Sequence, residues 1–183
     1  DDGPDSVTTP KILEALSRNN AKATFFLISS RVMGNKDLVT EIVARGHEIG
    51  NHLTYDEPSV NLAPEEFREA LYEADSILGQ FDEVRWFRPG GGRYNEQMIA
   101  ILQEHDYRCA LGSVYPFDTF IPWVWFEVEY VLHNVQPGSI IILHDVGERG
   151  NRTVKALARL VPALIHRGFH FVTLSELYQL KKD

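Results

Sequence analysis

The sequence predicts an α/β domain whose parallel strands form a sheet or a barrel. Short β-rich apolar runs recur along the chain, and segments with the apolar spacing of helices separate them. No repeat or low-complexity linker interrupts this alternation, and a length of 183 residues suits one domain. Strands separated by helices favour right-handed βαβ crossovers, and therefore parallel pairing.

In chain order, the first predicted element is a helix with Thr8 or Thr9 as N-cap and Pro10 at its first position. Strands are predicted at 23–28, 47–51, 84–87, 107–111, 139–143 and 169–172. Further helices are predicted at 36–45, from Pro64 onward, at 95–104, at 154–166 and after the last strand. The run at 139–143 is the most convincing buried strand. The first helix has no strand before it, which is unusual for a chain built from βα units.

Composition and charge exclude several classes of protein. With 44% hydrophobic and 24% charged residues, the chain has the composition of an ordinary globular domain. Its net charge of -8 argues against a nucleic-acid-binding surface. No apolar run reaches the ~20 residues of a membrane-spanning helix, and no targeting segment is visible. Cys109 is the single cysteine, which excludes an internal disulfide and a cysteine-rich zinc site. The oligomeric state is left open.

Polar side chains follow the ends of several predicted strands. In parallel α/β folds these ends meet at one face, where ligands bind. The residues concerned are Asp1, Asp2, His52, Asp56, Arg88, Asp118, His144 and Asp145, the first two only if a strand precedes them. Taken singly, each has a plainer interpretation, such as a turn at 1–4, a hydrogen-bonded core histidine at 52 or a loop brace at 88. Their joint position favours a shared site.

The motifs around these residues resemble those of the polysaccharide deacetylases, the NodB-like carbohydrate esterase family 4. The similarity covers almost the whole chain. The matching stretches are Asp1-Asp2-Gly3-Pro4, 23–26, 46–52, Phe87-Arg88-Pro89, Leu143-His144-Asp145 and 168–177. The resemblance implies a distorted, TIM-barrel-like (β/α) barrel of about seven parallel strands. We expect its first strand to be absent from this chain, so that the single deacetylase domain over residues 1–183 is N-terminally incomplete.

The resemblance also implies the acid–base groups of the site. Asp1 would be the general base that takes a proton from the attacking water. Arg88 would pair with Asp1 and keep it ionised and oriented. His144 would be the general acid that protonates the departing amine, and Asp118 would tune it.

Asp2 and His52 would bind a divalent metal ion, which the resemblance identifies as zinc. The family's second motif has His-x-x-x-His, whereas this chain has His52-Leu53-Thr54-Tyr55-Asp56. If Asp56 replaces the second histidine as a ligand, the site has two carboxylates and one imidazole. Such a set moves the preference from zinc toward manganese, iron or magnesium, with cobalt also acceptable. The alternative is that Asp56 does not bind and the site is weak or empty.

Four residues are candidates for contacting the substrate. The backbone N–H of Gly91 would stabilise the oxyanion, and Leu143 would line the pocket for the acetyl methyl group. Glycines after Arg88-Pro89 replace the family's aromatic wall, and Thr119 stands where a tryptophan normally follows the fourth-motif aspartate. Trp123 or Trp125 would supply a sugar-stacking face from a shifted position, or would pack a helix.

The function implied is metal-dependent hydrolysis of N-acetyl groups from an N-acetylglucosamine-containing polysaccharide such as chitin or peptidoglycan, with release of acetate. The partner is then a polysaccharide or oligosaccharide, and the location is extracellular or in the cell envelope. Two alternatives stay open. One is a small amide or imide hydrolase of the same superfamily, and the other is a catalytically silent glycan-binding domain.

Overall fold

The structure is a computed structural model that describes residues 1–181. Four parallel strands form a sheet in the order β1 (Thr24–Leu27), β2 (Glu48–Asn51), β3 (Trp86–Phe87) and β4 (Arg108–Cys109). Leu27, Asn51, Phe87 and Cys109 lie in one transverse row, since each is paired with the next. The predicted α/β class and the parallel pairing are confirmed.

Eight α-helices surround the sheet within the described residues. They are α1 (Thr9–Ser17), α2 (Ser29–Val32), α3 (Lys36–Ala44), α4 (Pro64–Leu78), α5 (Glu96–Glu104), α6 (Val124–Asn134), α7 (Gly147–His166) and α8 (Leu174–Leu180). Short 3-10 helices occupy Ser59–Asn61 and Gly90–Gly92. Local capping explains two helix starts. The Asn95 side chain accepts from Met98 N at 2.9 Å before α5, and Thr173 and Glu176 form a capping box at α8. None of these helices is long and apolar enough to cross a membrane.

The sheet is covered on both faces. Phe25 and Leu27 join the large core cluster with side chains of α1, α3, α4 and α5, whereas Phe26 packs on the other face near α8. A second cluster lies between α6 and α7 and includes Val131 and Leu160. Burial on both faces is what a parallel sheet requires.

The strand count in the described residues, four, is lower than the six predicted for this chain. Residues 139–143 form only an isolated parallel bridge, between Ile141 and Val114. Val114 N donates to Ile140 O and Ile142 N donates to Val114 O, both at 3.0 Å, and on the other side the Leu143 carbonyl accepts from the Asp1 nitrogen at 2.8 Å. Residues 169–172 also lie outside the named strands, and the Phe171 carbonyl accepts from Lys22 N at 3.2 Å.

The helix predicted at 154–166 begins earlier, at Gly147. Glycines at 147 and 150 disfavour a helix by propensity, but tertiary packing overrides this preference. A Cβ at Gly150 would lie 2.7 Å from Thr8 Cβ, so the absence of a side chain lets α7 approach the start of α1. The early part of α7 carries the side chains of Arg149, Arg152 and Thr153.

Candidate active site

The carboxyl ends of the strands bring His52 and Arg88 side by side. Each lies directly after the transverse row, and its backbone N–H extends the ladder: His52 N donates to Leu27 O at 3.0 Å, and Arg88 N donates to Asn51 O at 3.0 Å. Both side chains are buried. The predicted meeting of polar residues at strand ends is therefore found here.

Residues 1–3 lie between β1 and the segment around Leu143. Asp145 N donates to Asp1 O at 2.9 Å, and Ile28 N donates to Gly3 O at 2.9 Å. A Cβ at position 3 would come within 2.8 Å of Asp145 Oδ2, so the close approach requires glycine. The backbone thus holds Asp1 and Asp2 next to the ends of the strands.

Asp1 and Arg88 form a buried ion pair. Arg88 Nη1 lies 2.6 Å from Asp1 Oδ1, and each side chain is 6% exposed. Arg88 Nε donates to Ala110 O at 3.0 Å, and its guanidinium carbon lies 4.0 Å from the centroid of the Phe26 ring. Burial lowers the pKa of Arg88 to about 10, so it stays charged at neutral pH. A fixed cation at this distance favours the ionised form of Asp1.

Asp2 faces His52 in a buried acid–imidazole contact. His52 Nδ1 is 2.6 Å from the Arg88 carbonyl, which can only accept, so Nδ1 carries a proton. His52 Nε2 points at Asp2 Oδ1 from 3.3 Å. This arrangement is attractive only when a second ring proton or a cation lies between the two atoms. Although burial acts to raise it, the pKa of Asp2 is held well below its usual range by the His52 hydrogen bond and nearby positive charge.

Two arginines approach Asp2 from the opposite side. Arg149 Nη1 lies 3.2 Å from Asp2 Oδ2, and Arg31 donates to the Asp2 carbonyl. Arg31 also lies 3.7 Å from Asp56, whose side chain is 54% exposed. Of the three predicted metal ligands, the structure brings Asp2 and His52 together and turns Asp56 toward Arg31.

His144 and Asp118 form the second buried pair. His144 Nδ1 is 2.7 Å from Asp118 Oδ2, and the same oxygen accepts from the His144 backbone N–H at 3.2 Å. Asp118 is 1% exposed and His144 retains partial exposure. Because a carboxylate accepts the Nδ1 proton, Nε2 is the ring atom left to exchange protons with a substrate.

A cavity of about 240 Å³ reaches some of these groups. Asp1, Arg88, Leu143 and His144 lie on its wall, and side chains from α1, β1, α7, α8 and the segments before Leu143 and before α8 form much of the rest. The role predicted for Leu143 in an acetyl pocket stays a prediction. Gly91 lies in an exposed turn with φ 61°, a conformation that favours glycine, next to Arg88-Pro89.

Trp123 and Trp125 form an exposed pair at the start of α6. Their rings are stacked, with centroids 6.0 Å apart and 13° between planes, and they are 56% and 58% exposed. Ring contacts continue from Trp125 inward to the site and end at His144. The series is Trp125–Phe126, Phe126–Tyr130, Tyr130–Phe117, Phe117–Tyr115 and Tyr115–His144.

Several known proteins are similar to this chain in sequence. Residues 1–110 match the family model for polysaccharide deacetylase. The chain is 37% identical, over 99% of its length, to a peptidoglycan-N-acetylglucosamine deacetylase of Bacillus cereus, 86% of which is covered. The chain belongs to the polysaccharide deacetylase family. It is also 35% identical to a chitooligosaccharide deacetylase of Sinorhizobium fredii, over 92% of this chain and 85% of that one.

Solved deacetylase-family structures share the fold. A family 4 acetyl xylan esterase from Clostridium thermocellum, in complex with a cobalt ion, superposes with a TM-score of 0.91 at 31% identity, over 99% of this chain and 88% of that one. A family 4 pseudoenzyme from Bacillus anthracis superposes with a TM-score of 0.85 at 26% identity, over 93% of this chain and 60% of that one. The predicted distorted (β/α) barrel is therefore confirmed as the fold class.

The donor set of this deacetylase-family site fits a cation in part. The Nε2 of His52 faces a carboxylate oxygen of Asp2, and the other ring nitrogen is fixed by a carbonyl, as is common for metal-binding histidines. Over residues 1–181, no group of three or more His, Cys, Asp or Glu side chains is placed to hold a metal ion. Asp2 and His52 thus suit two coordination positions, and Asp56 is not beside them.

Sequence reasoning missed four residues around the deacetylase-family motifs. Arg31, Arg149 and Arg152 contact motif residues directly, and Glu127 pairs with Arg152. Arg149 and Arg152 lie before residue 154, where the helix is predicted to begin, so their helical placement is not part of the prediction. Glu127 carried a usable signal, since it is an acidic residue on the buried stripe of Val128 and Val131. Arg31 carried none.

Proposed function

We propose that this protein hydrolyses N-acetyl groups of an N-acetylglucosamine-containing polysaccharide, of the peptidoglycan or chitin type, and releases acetate. The observation that carries the proposal is that Asp1, Arg88 and His144 lie on the wall of one cavity, with Asp1 paired to Arg88 and His144 paired to the buried Asp118. The relatives named for peptidoglycan and chitooligosaccharide substrates support this substrate class. Action on such polymers fits a location outside the cell or in its envelope.

Asp1 is the proposed general base. Its ion pair with Arg88 keeps it ionised, and it takes a proton from the water that attacks the acetyl carbonyl. His144 is the proposed general acid, whose Nε2 gives a proton to the amine nitrogen as the C–N bond breaks. One proton is taken from water and one is given to the amine, so the immediate products are acetic acid, which loses its proton to the solvent as acetate, and a free amino sugar.

We propose that a divalent metal ion binds at Asp2 and His52. Asp56 becomes the third ligand when its side chain leaves Arg31 and turns toward the ion. When bound, the ion would polarise the acetamide carbonyl and lower the pKa of the attacking water. Zinc is expected from the family, while a second carboxylate favours manganese, cobalt, iron or magnesium. The cobalt-bound acetyl xylan esterase supports a metal in this fold.

On the substrate side, Gly91 would donate its backbone N–H to the oxyanion and Leu143 would contact the acetyl methyl group. Trp123 and Trp125 would stack on sugar rings further along the polymer, since both are exposed and linked by ring contacts to the site.

The experiment is acetate release from N-acetylchitooligosaccharides and from peptidoglycan, with manganese, cobalt, zinc or chelator present. Asp1→Asn and His144→Ala should each lose activity by about 10²–10⁴-fold. The matched controls are Asp37→Asn and His166→Ala, at exposed positions on α3 and α7. Full activity in either site variant would rule out the roles proposed for Asp1 and His144.

A catalytically silent glycan-binding domain is the second candidate. The observation that favours it is the contact of Arg149 with Asp2, which places a guanidinium where a metal ion would compete. The Bacillus anthracis pseudoenzyme shares this fold. Glycan binding without acetate release under every metal would support this candidate and overturn the enzyme.

A further inference from the structure

Two consecutive residues of α7 donate hydrogen bonds to the backbone carbonyls of Asp118 and His144, the two members of the acid pair. Arg152 Nη2 donates to Asp118 O at 2.8 Å, and Thr153 Oγ1 donates to His144 O at 2.7 Å. Thr153 is buried. The geometry of this acid pair is therefore fixed from one turn of one helix.

Glu127 lies behind Arg152 and is fully buried, at 0% exposure. Its Oε1 is 3.3 Å from Arg152 Nε, while Oε2 has no hydrogen-bond partner among the described residues. A buried carboxylate is expensive unless it is paired, and its neighbours on α6, Val128 and Val131, are apolar. A hydrophobic residue would fill the position at lower cost, so the charge has a role beyond packing.

We propose that Glu127 and Arg152 are positioning residues: a buried ion pair that orients Asp118 and, through it, sets the proton affinity of His144. The proposal rests on the proposed function, because it concerns the group assigned there as general acid. The chain of contacts is continuous: α6 supplies the carboxylate, α7 the guanidinium, and the loop before α6 the aspartate that contacts the imidazole.

The charges of this cluster predict opposite effects for its two members. Asp118 from the loop and Arg152 from α7 are the charged groups that face Glu127, and Asp2 lies within electrostatic range of His144. Without Glu127, the Arg152 cation is unbalanced and disfavours a protonated His144. Without Arg152, the two carboxylates favour a protonated His144.

The test is an NMR titration of the His144 ring in the full chain, with its signals assigned by their absence in His144→Gln. Glu127→Gln should lower the pKa of His144 by about 0.5–1 pH unit, and Arg152→Gln should raise it by a similar amount. The double variant should return close to the wild-type value. Glu129→Gln, two residues further along α6, and Arg159→Gln on α7 are exposed controls of equal charge change.

The pH dependence of acetate release is measured in the same variants. A general acid acts while protonated, so the alkaline limb should move to lower pH in Glu127→Gln and to higher pH in Arg152→Gln. Opposite NMR shifts with an unmoved alkaline limb would support the positioning pair and refute His144 as the acid. Absent or same-direction NMR shifts in folded variants would overturn the positioning pair itself.

If Arg152→Gln fails to fold, Arg152→Lys, which keeps the positive charge, is measured instead. Arg152→Lys retains the cation but cannot reach both Glu127 and the Asp118 carbonyl in the same way. The proposal expects a pKa of His144 within about 0.3 pH unit of wild type and kcat lowered by about tenfold. A shift as large as that expected for Arg152→Gln, or an unchanged kcat, would contradict it.

Discussion

Arg149 Nη1 lies 3.2 Å from Asp2 Oδ2, on the carboxylate whose other oxygen faces His52. The guanidinium and a metal ion at Asp2 would be in competition, because both are cations that need the same carboxylate. The Arg149 side chain is 31% exposed, so it can swing toward solvent at modest cost.

Arg149→Gln is therefore expected to tighten metal binding. A partly exposed ion pair is worth about 1 kcal/mol, so the gain in affinity should be about fivefold. Isothermal titration of the purified protein with manganese or cobalt measures it, and Arg159→Gln serves as the control. Binding that is unchanged or weaker in Arg149→Gln would mean that the arginine does not oppose the metal.

Asp56→His tests the proposed third ligand. It restores the histidine spacing of the family and removes the Arg31 contact, so zinc affinity should stay equal or rise, by up to about tenfold, relative to manganese. Titration with each metal gives the ratio, and Glu57→Gln, the exposed neighbour, is the control. Loss of zinc binding in Asp56→His would show that position 56 is not a ligand position.

Trp123→Ala and Trp125→Ala test the exposed aromatic pair. Each substitution should raise KM for long oligosaccharides by about twofold to tenfold, since an aromatic contact contributes about 0.5–1.5 kcal/mol. A substrate too short to reach beyond the cavity should show little change. Tyr72→Ala, which is 54% exposed on α4, controls for loss of a surface ring. An equal rise in KM for short and long substrates would show that the two tryptophans do not contact the distant sugar rings of the polymer.

His47 provides a pH-dependent stability test away from the site. It is buried, its Nδ1 accepts from Ala23 N at 3.2 Å, and burial lowers its pKa to about 4. Between about pH 6.5 and pH 4 the unfolded chain binds a proton at this residue and the folded chain does not. The unfolding free energy should therefore fall as the pH drops through that window, by about 2 kcal/mol from this group after solvent screening is considered.

The measurement is urea unfolding at several pH values in wild type, His47→Gln and His166→Gln. Other groups also titrate in the window, so the informative quantity is the difference in slope between wild type and His47→Gln. The exposed His166 variant should follow wild type. Parallel curves for His47→Gln and wild type would show that His47 does not carry this dependence.

Sequence reasoning located the strand-end residues because parallel strands bring the residues after their carboxyl ends to one face. His52 and Arg88 meet for that reason, and Asp118 meets His144 although 26 residues separate them. Partners that act across elements were not predictable: Arg149 and Arg152 reach the site from a helix whose first turns contain two glycines. Asp56 had the expected spacing, but Arg31, from α2, decides where its side chain points.

The first turns of α7 contact both halves of the site, since Arg149 reaches Asp2 while Arg152 and Thr153 hold the acid pair. A rigid helix transmits a shift at one end to all three contacts together. Laboratory evolution of metal preference through α7 is therefore expected to change the pH optimum in the same step. Independent adjustment of metal preference would have to come from the loop that carries Asp56, because Asp56 contacts Arg31 of α2 and not the residues of α7 that hold the acid pair.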